Sequence, residues 1–95
     1  MIENPKWSRD EIILTLNFYH RNYPTIPEKS STEIEDLSNT LRKLQIKLGD
    51  NINETYRNPN GVYMKMMNFH HFNPNYSGDG LSGGSKLDEE IFREF

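Results

Sequence analysis

Thr32-Glu33-Ile34-Glu35-Asp36-Leu37-Ser38-Asn39-Thr40-Leu41-Arg42-Lys43-Leu44-Gln45-Ile46-Lys47-Leu48 is the stretch that decides the fold. Ile34, Leu37, Leu41, Leu44 and Leu48 recur at steps of three and four, which stacks them on one face of an α-helix. Thr32 and Glu35 have the spacing of a capping box, and Gly49 supplies a stop. Arg42, Lys43 and Lys47 crowd the C-terminal half, where they suit the helix dipole without any ligand. The pattern predicts a helix over 32–48, and a helix with one apolar face needs partners to cover it.

Those partners lie on both sides. Upstream, Ser8-Arg9-Asp10-Glu11 is a second capping box, with Trp7 placed to staple onto Ile12. Ile12, Ile13, Leu16, Phe18, Tyr19 and Tyr23 form a broad helical face, and Pro24 ends it because the residue before a proline avoids the helical region. A helix is predicted over 8–22, then a loop through Ser30. Downstream of a polar run from Asp50, Val62, Met66 and Phe69 share a face, with Tyr63 and Met67 beside it and Asn60 as N-cap. These predict a short helix over 61–70, with a strand start at Val62-Tyr63-Met64 as the alternative. Leu87, Ile91, Phe92 and Phe95 predict a last, inward-facing helix from Lys86 onward. The expected fold is mainly α: one small domain over 1–95, a bundle of about four helices with a Gly/Ser-rich loop before the last. Trp7, Phe18, Tyr19, Phe92 and Phe95 are expected in its core.

Composition bounds the chemistry. The chain has 95 residues, 34% of them hydrophobic, with no cysteine and a formal charge of −3. A domain of this size has little core to spare. The absence of cysteine excludes a disulfide framework, a thiolate metal site and a Cys nucleophile together. No apolar run reaches the roughly 18 residues of a membrane span, and the N-terminus lacks a secretory signal. The expected setting is cytoplasmic.

Most motifs fail on context. Gly78-Asp79-Gly80-Leu81-Ser82-Gly83 spells the dinucleotide fingerprint, but Asn73-Pro74-Asn75-Tyr76 stands where the buried strand must be. The same run misses a P-loop because Gly84 occupies the lysine position. What survives is a glycine-serine run ahead of Ser85 and Lys86, whose backbone N–H groups can bind one phosphate at a helix start. His70 and His71 are adjacent and point apart, so they do not chelate one metal. No histidine follows them to complete an HNH nuclease centre. No cofactor, metal site or catalytic residue is expected in this chain.

The charges are unevenly placed. Residues 55–78 contain no acid, while carrying Arg57, Lys65, His70 and His71, several asparagines and the rings of Tyr56, Tyr63, Phe69, Phe72 and Tyr76. The window stands at +2 and the flanks hold the negative charge. Such a stretch suits phosphate and base edges, which a carboxylate would repel. Arg and Lys neutralise phosphate, Asn bonds adenine, and one or two of Tyr63, Phe69, Phe72 and Tyr76 can stack on a base or a flipped nucleotide. The competing account of Asn58-Pro59-Asn60-Gly61 is a turn with an N-cap, and each ring is individually more at home in the core.

Three blocks carry a likeness. They are Trp7-Ser8-Arg9-Asp10-Glu11-Ile12-Ile13-Leu14, then Tyr56-Arg57-Asn58-Pro59-Asn60-Gly61-Val62-Tyr63-Met64-Lys65-Met66-Met67-Asn68-Phe69, then Gly78-Asp79-Gly80-Leu81 followed by Ser85-Lys86-Leu87-Asp88-Glu89-Glu90-Ile91-Phe92. In this order, with Leu37-Ser38 and Leu41-Arg42, the chain resembles the N-terminal domain ahead of HNH nuclease domains in modification-dependent (type IV, methylcytosine-type) bacterial restriction endonucleases. The resemblance implies a non-catalytic specificity module that reads double-stranded, modified DNA while a fused or associated nuclease cuts. It carries Arg57, Asn58, Asn60, Lys65 and Asn68 over as candidate DNA contacts. The acid-free window and the last helix start add Tyr63, His70, His71, Tyr76, Ser85 and Lys86. The chain is expected to be the N-terminal part of a longer nuclease or a stand-alone relative. Binding to modified duplex is expected to be micromolar or tighter and steeply salt-dependent. The alternative is a subunit-docking domain that uses the apolar face of the third helix and touches no nucleic acid.

Overall fold

The computed structural model describes residues 6–23, 25–47, 56–75, 80 and 84–95, with the side chains of 45–47 excepted. Among these residues it is a mainly α bundle: α1 Arg9–Asn22, α2 Thr32–Lys47, α3 Pro59–Phe72 and α4 Lys86–Glu94. Gly49, Leu48, Pro24, Tyr76 and most of the glycine-serine run lie outside the described residues.

Each helix start has a local cause. Ser8 caps α1 in a complete capping box: its hydroxyl accepts from the Glu11 N–H, and the Glu11 carboxylate accepts from the Ser8 N–H. Ser85 and Asp88 make the same reciprocal pair at α4. The caps of α2 and α3 correct the sequence reading. Ser31, not Thr32, caps α2, its hydroxyl accepting from the Ile34 N–H at 3.3 Å. Serine is the better N-cap, and Thr32 becomes the first helical residue. Asn58, not Asn60, caps α3, its Oδ1 accepting from the Gly61 N–H at 2.8 Å. Asn58 precedes a proline and is therefore extended (ψ 166°), as a cap must be, while Pro59 has no N–H to leave unbonded. The helix consequently starts two residues earlier than 61–70 and runs two further.

The central element is α3, which packs against α1, α2 and α4, while α1 also lies against α4. The core consists of Ile12, Leu16 and Tyr19 from α1, Ile34, Leu37 and Leu41 from α2, Val62, Met66 and Phe69 from α3, and Ile91 from α4. Each large side chain removed from water in this way contributes about 1.5–3 kcal/mol. Trp7, Phe18, Leu87 and Phe92 pack around its edge. Two expected core residues lie outside it. Phe95 is 61% exposed at the end of α4, and Leu44 is 37% exposed toward the C-terminal part of α2. Among the described residues the apolar stripe of α2 is buried as far as Leu41.

The segment entering α3 is fixed from two sides. The Ser38 hydroxyl donates to the Arg57 carbonyl at 2.5 Å and the Arg42 guanidinium donates to the Tyr56 carbonyl at 2.6 Å. Arg57 adopts a left-handed backbone (φ 46°), which an arginine holds only when its surroundings dictate it. Further along, Gly80 (φ +63°) approaches α3 so closely that a Cβ there would sit 2.6 Å from the His71 nitrogen. A glycine from the apparent dinucleotide fingerprint thus serves close packing against a helix.

Candidate nucleic-acid interface

The acid-free window is acid-free in sequence only. The Glu11 carboxylate of α1 receives Arg57 Nε at 2.7 Å and Nη2 at 3.1 Å, the Tyr56 hydroxyl at 2.8 Å and the Ser8 N–H at 3.0 Å. Both side chains are buried, Arg57 at 5% and Glu11 at 2% exposure. Burial pushes the Glu11 carboxyl up, but the bonds from Arg57, the Ser8 N–H and Tyr56 outweigh it and leave it below the ordinary carboxylate range. Lys65 Nζ lies 2.8 Å from Asp88 Oδ2, which also accepts from the Ser85 N–H. The two cations share the ring of Trp7, with Arg57 Cζ at 4.5 Å and Lys65 Nζ at 4.9 Å from its centroid. Each positive charge counted for the window is therefore cancelled by a carboxylate from a flank. The guanidinium of Arg57 faces the protein interior, which corrects its expected place on the DNA-facing surface.

His70 is likewise internal. It is 4% exposed, with Nδ1 2.7 Å from the Tyr19 hydroxyl. Asn73 Nδ2 donates to the same hydroxyl at 3.2 Å, so Tyr19 of α1 is tied to both His70 and Asn73 at the end of α3. Burial lowers the affinity of His70 for a proton. The unfolded chain therefore binds a proton more readily, and stability falls as pH drops from about 6.5 toward the lower folded value. We expect Tm to decline between about pH 7 and pH 5 and His70→Gln to flatten that decline, read by thermal unfolding at stepped pH. An equal slope in both proteins would contradict the assignment.

The other candidates divide plainly. Asn58 and Ser85 are helix caps. Asn68 is half-buried, and among the described residues its Oδ1 and Asp88 Oδ1 are buried acceptors without a hydrogen-bond partner. Asn60, His71 and Lys86 are exposed, and Tyr63 is half-buried. Tyr76 lies outside the described residues. The outward face of α3 carries Asn60, Met64, Met67 and His71 at spacings of four, three and four, with Tyr63 alongside. Asn60 Nδ2 contacts the Met64 sulfur at 3.5 Å. The opposite face, Val62, Met66 and Phe69, is the one offered above for subunit docking, and it is occupied by the domain's own core.

Sequence reasoning missed Met64 as a surface residue and Lys29 as a neighbour of Tyr63. Met64 is 45% exposed, and its phase against Val62 and Met66 was there to be read. Glu28, Lys29 and Ser30 line a shallow cleft with Tyr63, and nothing in the linker signalled it. Among the described residues no group of three or more His, Cys, Asp or Glu side chains converges as a metal site, and no helix is long and apolar enough to cross a membrane. Compared with known proteins, the chain matches no protein family, no curated protein and no solved structure.

Proposed function

We propose that this domain is a non-catalytic DNA-recognition module that reads modified duplex for an HNH-type restriction nuclease whose catalytic centre lies outside this chain. The observation that carries the reading is the outward strip of α3. It presents an amide, a phenol, two thioethers and an imidazole, and α3 contains no carboxylate. Amide and imidazole donors match base edges, and thioethers match the methyl group of a modified base. The sequence blocks that resemble restriction-enzyme N-terminal domains support the same reading.

Since Arg57 and Lys65 are paired within the fold, the steep salt dependence is revised. Lys29 lines a cleft with Tyr63, Lys6 lines one with Lys65 and Ser85, and Lys86 begins α4; all three are exposed, and three phosphate contacts give a slope of about −3 in log K against log salt. Asn60→Ala and Tyr63→Ala are each expected to weaken binding by about tenfold, the size of one lost base contact, with the circular dichroism of the fold unchanged. Lys43→Ala, on the exposed side of α2, is expected to bind as the parent does. The measurement is an electrophoretic shift series at fixed low salt with matched unmodified, 5-methylcytosine, 5-hydroxymethylcytosine and N6-methyladenine duplexes. No shift on any duplex would overturn the proposal. Equal shifts on all four would reduce it to unselective DNA binding.

A further inference from the structure

Asn60 and Met64 stand one turn apart on the outward strip of α3, and Asn60 Nδ2 lies 3.5 Å from the Met64 sulfur. Both side chains are exposed, Met64 at 45%. A thioether is a weak acceptor, so the amide gives up this contact readily for a better partner. The neighbouring methionines of α3 are less open: Met67 is half-buried, and Met66 is fully buried in the core. The chain holds four methionines and no cysteine, so no thiol within it competes for an oxidant. Among the described residues, Met64 therefore carries the most accessible sulfur.

We infer that Met64 is a peroxide-sensitive modification site, and that its sulfoxide withdraws the Asn60 amide from the outward face of the domain. The sulfur lone pair attacks one oxygen of hydrogen peroxide and the O–O bond breaks. The departing hydroxide takes the proton of the transferred oxygen and leaves as water, so the sulfur is oxidised by two electrons and the peroxide is reduced. A flexible apolar side chain becomes a polar one. The new oxygen is a strong acceptor, bonded to the very atom that Asn60 Nδ2 already touches. Rotation about the terminal bonds of Met64 brings it to the amide without backbone movement, since residues four apart on a helix are neighbours. Within α3 no carboxylate competes for that amide. The consequence for DNA rests on the reading proposed above: a captured amide no longer serves a base edge, and a sulfoxide no longer matches a base methyl group. The fold stays intact, because neither side chain belongs to the core. Thiol-dependent reductases, one for each sulfur epimer, reverse the change.

The experiment treats the full chain with graded hydrogen peroxide. Peptide mass spectrometry is expected to show Met64 gaining oxygen ahead of Met67, with Met66 last and Met1 scored separately. The side-chain amide resonances of Asn60 are expected to move as Met64 is converted, with circular dichroism unchanged. Affinity for the preferred duplex is expected to fall by about tenfold, the size of one lost base contact. Met67→Leu should keep that response and Met64→Leu should lose it, whatever affinity each starts from. In Asn60→Ala the response should shrink, because no amide remains to be captured. Conversion of Met67 or Met66 as fast as Met64, or Asn60 resonances indifferent to conversion, would overturn the inference. So would an affinity that survives full conversion of Met64. If the untreated chain shifts no duplex, the DNA-recognition reading falls, and the order of oxidation and the Asn60 resonances decide the inference by themselves.

Discussion

Glu11→Ala is expected to cost this domain about 3–5 kcal/mol, because it removes the buried carboxylate that accepts two hydrogen bonds from the Arg57 guanidinium and one from Tyr56. A domain of this size has roughly 5–15 kcal/mol in total, and each kcal/mol moves Tm by about 4–8 °C. The variant is therefore expected to melt roughly 12–40 °C below the parent. Arg57→Ala should be costly as well, leaving the Glu11 carboxylate with the Tyr56 hydroxyl and the Ser8 N–H but without its counter-charge. The double variant should be far less damaging than the sum, and denaturant unfolding of the full cycle measures the coupling. A single-variant cost below about 1 kcal/mol would mean a solvated, surface-type pair and would contradict the burial. The pair also sets an acid limit. With its folded pKa below the ordinary value of about 4.3, Glu11 stabilises the fold above that pH and ceases to do so as pH falls through the folded value. Glu11→Gln should remove that limb of the pH profile.

Phe69→Ala is expected to cost about 3–5 kcal/mol, and Met64→Ala, five residues before it on the same helix, no more than about 0.5 kcal/mol. Phe69 is fully buried at the centre of the bundle, with its ring edge-on to Tyr19 at 5.5 Å and stacked near Phe92 at 6.1 Å. Met64 is exposed, with Asn60 against its sulfur. The contrast, measured by denaturant midpoint at constant m-value, tests which way α3 faces. Comparable costs would mean that the helix is rotated and that the outward strip is not outward. The same result decides whether variants at Asn60 and Tyr63 report on binding or on folding.

Much of the fold was legible because its causes are local. Ser8 and Glu11 are three residues apart, and a capping box is made within one turn. Ile34, Leu37 and Leu41 announce a helix because the backbone repeat and the apolar repeat coincide. The errors at α2 and α3 were of the same local kind: two polar residues competed for each cap, and chemistry favoured Ser31 over Thr32 and the proline-constrained Asn58 over Asn60. The candidate interface was less legible. Arg57, Lys65 and His70 have the composition of a binding surface, but composition does not say which way a side chain turns.

The number of helices, their approximate ends and the face each one buries follow from interactions within a few residues, and so were readable along the chain. Where the charge goes depends on contacts between segments that only packing brings together. Glu11 and Arg57 are 46 residues apart, and Lys65 and Asp88 are 23 apart. A charge sum taken along the chain treats them as belonging to different segments. Packing α3 between α1 and α4 brings each pair within 2.8 Å, so each cation of the window is held by a carboxylate of a distant segment.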